Sequence, residues 1–316
     1  MVRLGARLKH WTSVALGETA PRGWRWLFAI WVLLLASPAF SEVPSPEVMH
    51  RSKIQFVAHA LGAVDGVTYT NSIEAFETNY AAGARWFEVD LSLTADGDLV
   101  CFHRDHEKNI GLEIPLQQVK TENFLTRRYE GRFHLMTFSD LLARAARLGN
   151  VRLIMDTKEW NGRILEAFAR LLASAPNQQR RIVVPQIYHP SDLPALRALE
   201  MRFGRFSALV FTLYLTAFSS VEVPVLRERE HGAAIELSSE ENVATFVKRE
   251  HIPFVTIRID RFGRVLAARL HAAGARVLVH PVNDPSEVAR LVADGADGVY
   301  SYFLRPRLKV THHQRQ

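Results

Sequence analysis

Cysteine is nearly absent from this 316-residue chain: Cys101 is the only one. An internal disulfide framework is therefore excluded. Cys101 alternates with His103 along one apolar run, and it reads as a buried, inert thiol rather than a nucleophile. Long apolar runs are also missing. The run at residues 26–36 falls well short of the roughly 20 residues that span a bilayer. Charge of one sign is scarcer than it first looks. The formal net charge is +6, but residues 1–41 carry five Lys/Arg and one Glu, which leaves about +2 for the rest. That removes most of the case for nucleic-acid binding. The chain also lacks G-x-x-x-x-G-K-[ST], G-x-S-x-G, H-E-x-x-H and the dinucleotide glycine fingerprint.

The start reads as a targeting segment. Arg3, Arg7, Lys9, Arg22 and Arg25 precede the apolar run, and Ala39 and Ser41 place small residues where a signal peptidase reads. A cleaved secretory signal over residues 1–41 is expected, with an uncleaved N-terminal anchor as the alternative, and hence a periplasmic or secreted protein. The basic tail at 305–316, with Arg305, Arg307, Lys309 and Arg315, reads as a solvated terminus. Weak contact with an anionic membrane surface is the sharper reading. A monomer is expected.

Residues 42–304 read as one domain. Short apolar runs at 54–59, 86–91, 151–156, 182–186, 208–213, 233–237, 254–259, 276–280 and 298–302 read as strands. Helical stretches fall between them at 72–82, 138–148, 163–173, 191–199, 241–250, 264–272 and 285–293. Such alternation predicts a parallel sheet, and right-handed crossovers close it into a TIM (β/α)8 barrel. Its length suits the roughly 250 residues typical of that fold. Nine runs compete for eight places, so 233–237 is assigned to an enlarged connection after the fifth strand. Residues 93–102 read as a turn and return strand with Asp96, Gly97 and Asp98 at the tip. Asn71 followed three residues later by Glu74 has capping-box spacing, and Gly83 suits the left-handed position past that helix.

What is present is chemistry at strand ends. His59 ends one run, Glu88 and Asp90 lie two apart on the next, and His103 closes a third. Residues two apart on a strand face the same side, so the two carboxylates project together as ligands of one hard cation would. Asp156 and Lys158 end a later strand. Three carboxylates close together repel unless a cation neutralises them, and an all-oxygen set favours Mg2+ or Ca2+ over zinc. Simple ion pairing of these acids with Lys158 or an arginine is the competing reading. His59 and His103 are suited to proton transfer at neutral pH, and Lys158 to stabilising phosphate oxygens. The combination points to metal-assisted cleavage of a phosphate ester. Gln186, Tyr188, Tyr214, Arg258, His280 and Asn283 also fall at strand ends. His189 and His280 are candidates for lining a pocket, whereas His106, His134, His231, His251, His312 and His313 read as surface residues.

The order AHALG, TNSIEAF and GARWFEVDLSLTADGDLVCFH within residues 58–103 resembles the glycerophosphodiester phosphodiesterase family. That family belongs to a superfamily with phosphatidylinositol-specific phospholipase C. The likeness continues more weakly through LIMDTK at 153–158 and HPVNDPSEVARLVADGADGVYS at 280–301. The resemblance implies a divalent cation held by Glu88 and Asp90, with Asp156 where a glutamate is usual. It also implies His59 and His103 as the catalytic histidines and Lys158 as the lysine after the third acid. The implied reaction releases glycerol 3-phosphate and an alcohol from a glycerophosphodiester through a cyclic phosphate. Asp-x-Lys is also similar to the sphingomyelinase D branch, which makes a phospholipase D-like enzyme acting on lysolipid headgroups one alternative. A barrel that binds a phosphorylated ligand without turnover is the other. The chain departs from the family at four places. Ala60 replaces an arginine, Tyr69-Thr70 a Pro-Glu, His280 a tryptophan, and Ser301-Tyr302 a Thr-Asp.

Overall fold

Eight parallel strands hydrogen-bond in a closed ring in the computed structural model, which describes residues 55–213 and 240–306. They are β1 (Gln55–Ala58), β2 (Trp86–Leu93), β3 (Arg152–Asp156), β4 (Val183–Ile187), β5 (Val210–Leu213), β6 (Phe254–Arg258), β7 (Arg276–His280) and β8 (Gly298–Ser301). β1 pairs with both β2 and β8, which closes the ring and makes the fold a TIM barrel. Seven helices return the chain outside it: α1 (Ile73–Ala81), α2 (Phe138–Leu148), α3 (Gly162–Ser174), α4 (Leu193–Phe203), α5 (Glu240–Arg249), α6 (Arg264–Ala272) and α7 (Pro285–Ala293). The expected run at 233–237, Tyr214, His231, the leader at 1–41 and residues 307–316 lie outside the described residues. No helix among the described residues is long and apolar enough to cross a membrane.

Local sequence explains the elements. In α2 the Thr137 side chain accepts from the Asp140 amide while Asp140 reaches back to Thr137, a complete capping box. Phe138, Leu141, Leu142 and Ala145 then recur at helical spacing and are buried. The cap of α1 differs from expectation. Ser72 is the N-cap and accepts from the Ala75 amide at 3.1 Å. Glu74 bonds the His134 backbone instead of closing a box, and Asn71 is left for another task. Gly83, at φ +96°, ends that helix region as expected. The excursion after β2 returns as the antiparallel strand Leu99–Cys101, which buries Cys101.

Inward-facing positions form two storeys. In the lower one, Val57, Ile154, Val184, Val210, Phe254 and Leu278 cluster in the barrel interior. Two residues further along the same strands the inward side chains turn polar: His59, Asp156, Gln186, Thr212, Thr256 and His280. The strand period of two carries each strand from an apolar plug to a polar rim. That rim sits at the C-terminal end of the barrel, where this fold places its sites.

Candidate active site

The polar rim encloses a cavity of about 360 Å³. Its acidic side is built by β2 and β3. Parallel register sets Asp90 directly beside Asp156, and Glu88 lies two residues earlier on β2. One oxygen from each of Glu88, Asp90 and Asp156 lies within 4.8 Å of the others, and all three residues are buried. Like charges opposed in a sheet repel, and burial removes the water that would screen them. Burial, then Asp90 and Asp156, push the Glu88 carboxyl well above the usual carboxylate range.

Lys158 partly offsets this charge. Its ammonium bonds the Asp156 carboxylate and lies 3.3 Å from Asp90 Oδ1. Although burial alone would lower its pKa, Asp156, Asp90 and Glu88 raise it further, so it stays charged. The ion pair considered from the sequence therefore forms, yet one ammonium cannot balance three carboxylates. Glu88 Oε2 accepts from the Ala60 amide at 2.6 Å, whereas Oε1 is buried with no hydrogen-bond partner among the described residues. Buried, partly unpartnered carboxylate oxygens in an all-oxygen set fit a hard divalent cation. Glu88, Asp90 and Asp156 are the residues that would hold it.

The two histidines reach different acids. His59 Nε2 lies 3.7 Å from Glu88 Oε2, and His103 Nε2 lies 4.0 Å from Asp90 Oδ1. Burial, helped by His280 and Lys158, holds the His59 pKa well below its usual value. Its ring stacks on Tyr302 at 4.4 Å with 15° between planes. The strands thus bring His59, His103, Lys158, Glu88, Asp90 and Asp156 to one place.

Two neighbours, Asn71 and His106, were not legible as site residues, whereas the sequence already points to His280, His189 and Asn283 at strand ends. Asn71 donates to Asp90 Oδ2 at 3.0 Å and accepts from the Asp90 amide at 3.1 Å. It fixes the carboxylate in direction. His106, expected at the surface, is half-buried; it packs 4.9 Å from His103 and bonds the Tyr129 hydroxyl at 2.8 Å. His280 lines the cavity, and burial lowers its pKa to about 4 against the pull of Asp156. His189 does not line it; the residue starts the short turn Pro190–Asp192. Asn283 accepts from Ser301 Oγ and the Tyr302 amide, both at 3.0 Å, and so fixes the end of β8.

The backbone around the site is bent into sparsely populated conformations. Ala60, Leu61, Tyr69, Asn71 and Lys158 all have φ between +46° and +64°. Each such non-glycine residue costs of order 1–3 kcal/mol and persists only where its surroundings impose it. At Ala60 the turn aims the amide at Glu88, and Gly62 follows so closely on Asn79 that a Cβ there would lie 2.5 Å from Asn79 Nδ2.

Comparison with known proteins supplies relatives. The model of the glycerophosphoryl diester phosphodiesterase family matches residues 62–303. A structure described as a putative glycerophosphoryl diester phosphodiesterase from Silicibacter pomeroyi superposes with a TM-score of 0.60 at 17% identity, covering 80% of this chain and 91% of that one. An Oleispira antarctica phosphodiesterase solved with its product sn-glycerol-3-phosphate gives 0.60 at 17% identity, covering 79% and 93%. A Thermotoga maritima glycerophosphodiester phosphodiesterase gives 0.56 at 18%, covering 80% and 96%. These structures share the barrel.

Proposed function

Because the chain belongs to the glycerophosphoryl diester phosphodiesterase family, we propose that it hydrolyses glycerophosphodiesters to sn-glycerol 3-phosphate and an alcohol with a divalent cation bound. It is a phosphoric diester hydrolase. The observation that supports the finer reading is the convergence of three buried carboxylates with one histidine beside Glu88 and another beside Asp90.

Mg2+ or Ca2+ held by Glu88, Asp90 and Asp156 would draw charge from a phosphoryl oxygen. His59 acts as the base. Burial keeps its ring neutral at pH 7, the form that accepts a proton. It takes the proton of the substrate hydroxyl beside the phosphate. That oxygen bonds to phosphorus as the bond to the departing alcohol breaks, and His103, at the more open side, protonates the leaving oxygen. Water then opens the resulting cyclic phosphate with the two histidines in exchanged roles. Lys158, on the same side as the acids, stabilises charge on the non-bridging oxygens. Residues 1–41 serve as the export leader of a periplasmic or secreted enzyme, 42–304 as the catalytic barrel and 305–316 as its basic tail.

The test is release of sn-glycerol 3-phosphate from glycerophosphocholine and glycerophosphoinositol, with lysophospholipids in parallel. Glu88→Ala, Asp90→Ala and His59→Ala each abolish release, as does chelator, and Mg2+ or Ca2+ restores it to the wild type. Full activity in these variants or in chelator refutes the assignment. Turnover of lysolipids alone moves it to the phospholipase D-like alternative.

A further inference from the structure

Opposite the acids, the buried part of the rim is made of neutral polar groups, with the more exposed Arg258, paired to Asp260, two residues beyond Thr256. Gln186 on β4, Thr212 on β5 and Thr256 on β6 line the same cavity, and register sets Thr212 beside Thr256. All three are almost fully buried, at 3%, 2% and 1% exposure. Gln186 Oε1 and Thr212 Oγ1 have no hydrogen-bond partner among the described residues, and the Thr256 hydroxyl faces the buried hydroxyl of Tyr300 on β8. The Gln186 amide nitrogen is committed to the Tyr188 hydroxyl at 2.8 Å, which leaves the carbonyl oxygen as an acceptor. Leaving a buried polar group unpaired is costly, so a wall of such groups points to something that fills it. None of these residues takes part in the proposed proton transfers or in holding the cation.

Resting on that function, we propose that Gln186, Thr212 and Thr256 form a specificity site for an uncharged, hydroxyl-bearing arm of the diester. The chemistry selects the arm. An amide oxygen accepts a hydroxyl proton, and two threonines can each donate or accept. The rings of Tyr188 and Tyr300 line the same cavity, but a trimethylammonium arm has no N–H or O–H to offer and, like an acyl chain, would leave these buried oxygens unpaired. With phosphorus held between His59 and His103, the glycerol arm keeps one hydroxyl beyond the one that attacks, and this wall receives it.

The experiment compares glycerophosphocholine with (2-hydroxypropyl)phosphocholine, which keeps the attacking hydroxyl and lacks the terminal one. The wild type prefers the first by about tenfold to a hundredfold in kcat/KM, the range expected when buried partners lose their mate. Thr212→Val lowers kcat/KM for the glycerol substrate alone, so the preference falls to near unity. Gln186→Met carries the same test should the first variant fail to fold. Equal turnover of both diesters by the wild type, or an equal fall for both in the variants, overturns the proposal. A second readout is independent of turnover: calorimetric binding of sn-glycerol 3-phosphate against 2-hydroxypropyl phosphate. Tighter binding of the former, lost in Thr212→Val, supports the site, and equal affinities overturn it. Absence of turnover for both diesters counts against the Proposed function, and the binding measurement still decides this one.

Discussion

The two storeys of the barrel interior differ by two residues on the same strands, and they are opposite in character. The lower storey holds Val57, Ile154, Val184, Val210, Phe254 and Leu278, together with Tyr300, whose phenol is pushed by burial above its usual pKa and so stays neutral. In the upper one Asp90 and Asp156 stand side by side, and Glu88, level with Ile154 in register, brings a carboxylate oxygen within 4.8 Å of theirs, with His59 alongside. Burial on the lower storey stabilises the fold, at about 1.5–3 kcal/mol for each large apolar side chain. Burial on the upper storey opposes it, because like charges are brought together away from water. The barrel is thus a stable plug carrying an unstable rim, and the rim is where binding energy can be used.

Removing charge from the rim should separate function from stability most sharply. Glu88→Gln keeps shape and hydrogen-bonding reach but removes one of the mutually repelling charges. Release of glycerol 3-phosphate falls by about a thousandfold, comparable with loss of one key electrostatic group elsewhere. In chelator its Tm rises by about 2–4 °C, the shift of roughly 1 kcal/mol in a domain of this size. A fall in both quantities would show that the acids support the fold rather than strain it. The lower storey should behave in the opposite way. Ile154 is fully buried, and Ile154→Ala costs about 2–5 kcal/mol by thermal or urea melting. The folded fraction keeps its kcat, because Ile154 touches the plug and not the cavity.

The same contrast explains what could be read from sequence. The plug strands were visible because apolar runs bounded by helical stretches have few other solutions; the ranges for β7, α2, α6 and α7 agree residue for residue. Glu88, Asp90 and Asp156 were legible because a period of two puts strand-end acids on one face. Residues that reach the site from loops were not. Asn71 looked like a helix cap, since an Asn-x-x-Glu spacing suits one, but Ser72 takes the cap and Asn71 turns to Asp90. His106 looked superficial because nothing local shows that Tyr69 and His103 close over it. Tertiary contact, not pattern, decided both.

Asn71 gives the next test. It holds Asp90, a proposed ligand of the cation, through two hydrogen bonds, and outer partners of a metal ligand are worth about 10–100-fold in affinity or activity. Asn71→Ala should weaken calorimetric binding of the divalent ion and lower kcat/KM within that range. An unchanged ion affinity would mean that Asp90 is aimed by its strand alone.

The smallest effect concerns the departures from the family pattern. Ala60, Tyr69 and Tyr302 each differ from the residue usual there, and in space they pack together with Ala63. The Ala60 methyl is fully buried under the two tyrosines, and Tyr302 also stacks on His59. Small at one position and large at two others is one coordinated repacking rather than three separate losses. An arginine at residue 60 would have to enter space that Tyr302 fills, on a backbone already at φ +49°. Ala60→Arg therefore destabilises by about 1–3 kcal/mol through overpacking. Tyr302→Ala alone loses the ring and the stacking partner of His59. In the double variant the arginine occupies the vacated space, so the two costs fall short of additive by about 1 kcal/mol, within the range seen for residues in contact. Urea melts of the four proteins measure this coupling. Strict additivity would mean that the arginine finds another path out of the barrel mouth, and that the tyrosines are there for a reason unrelated to Ala60.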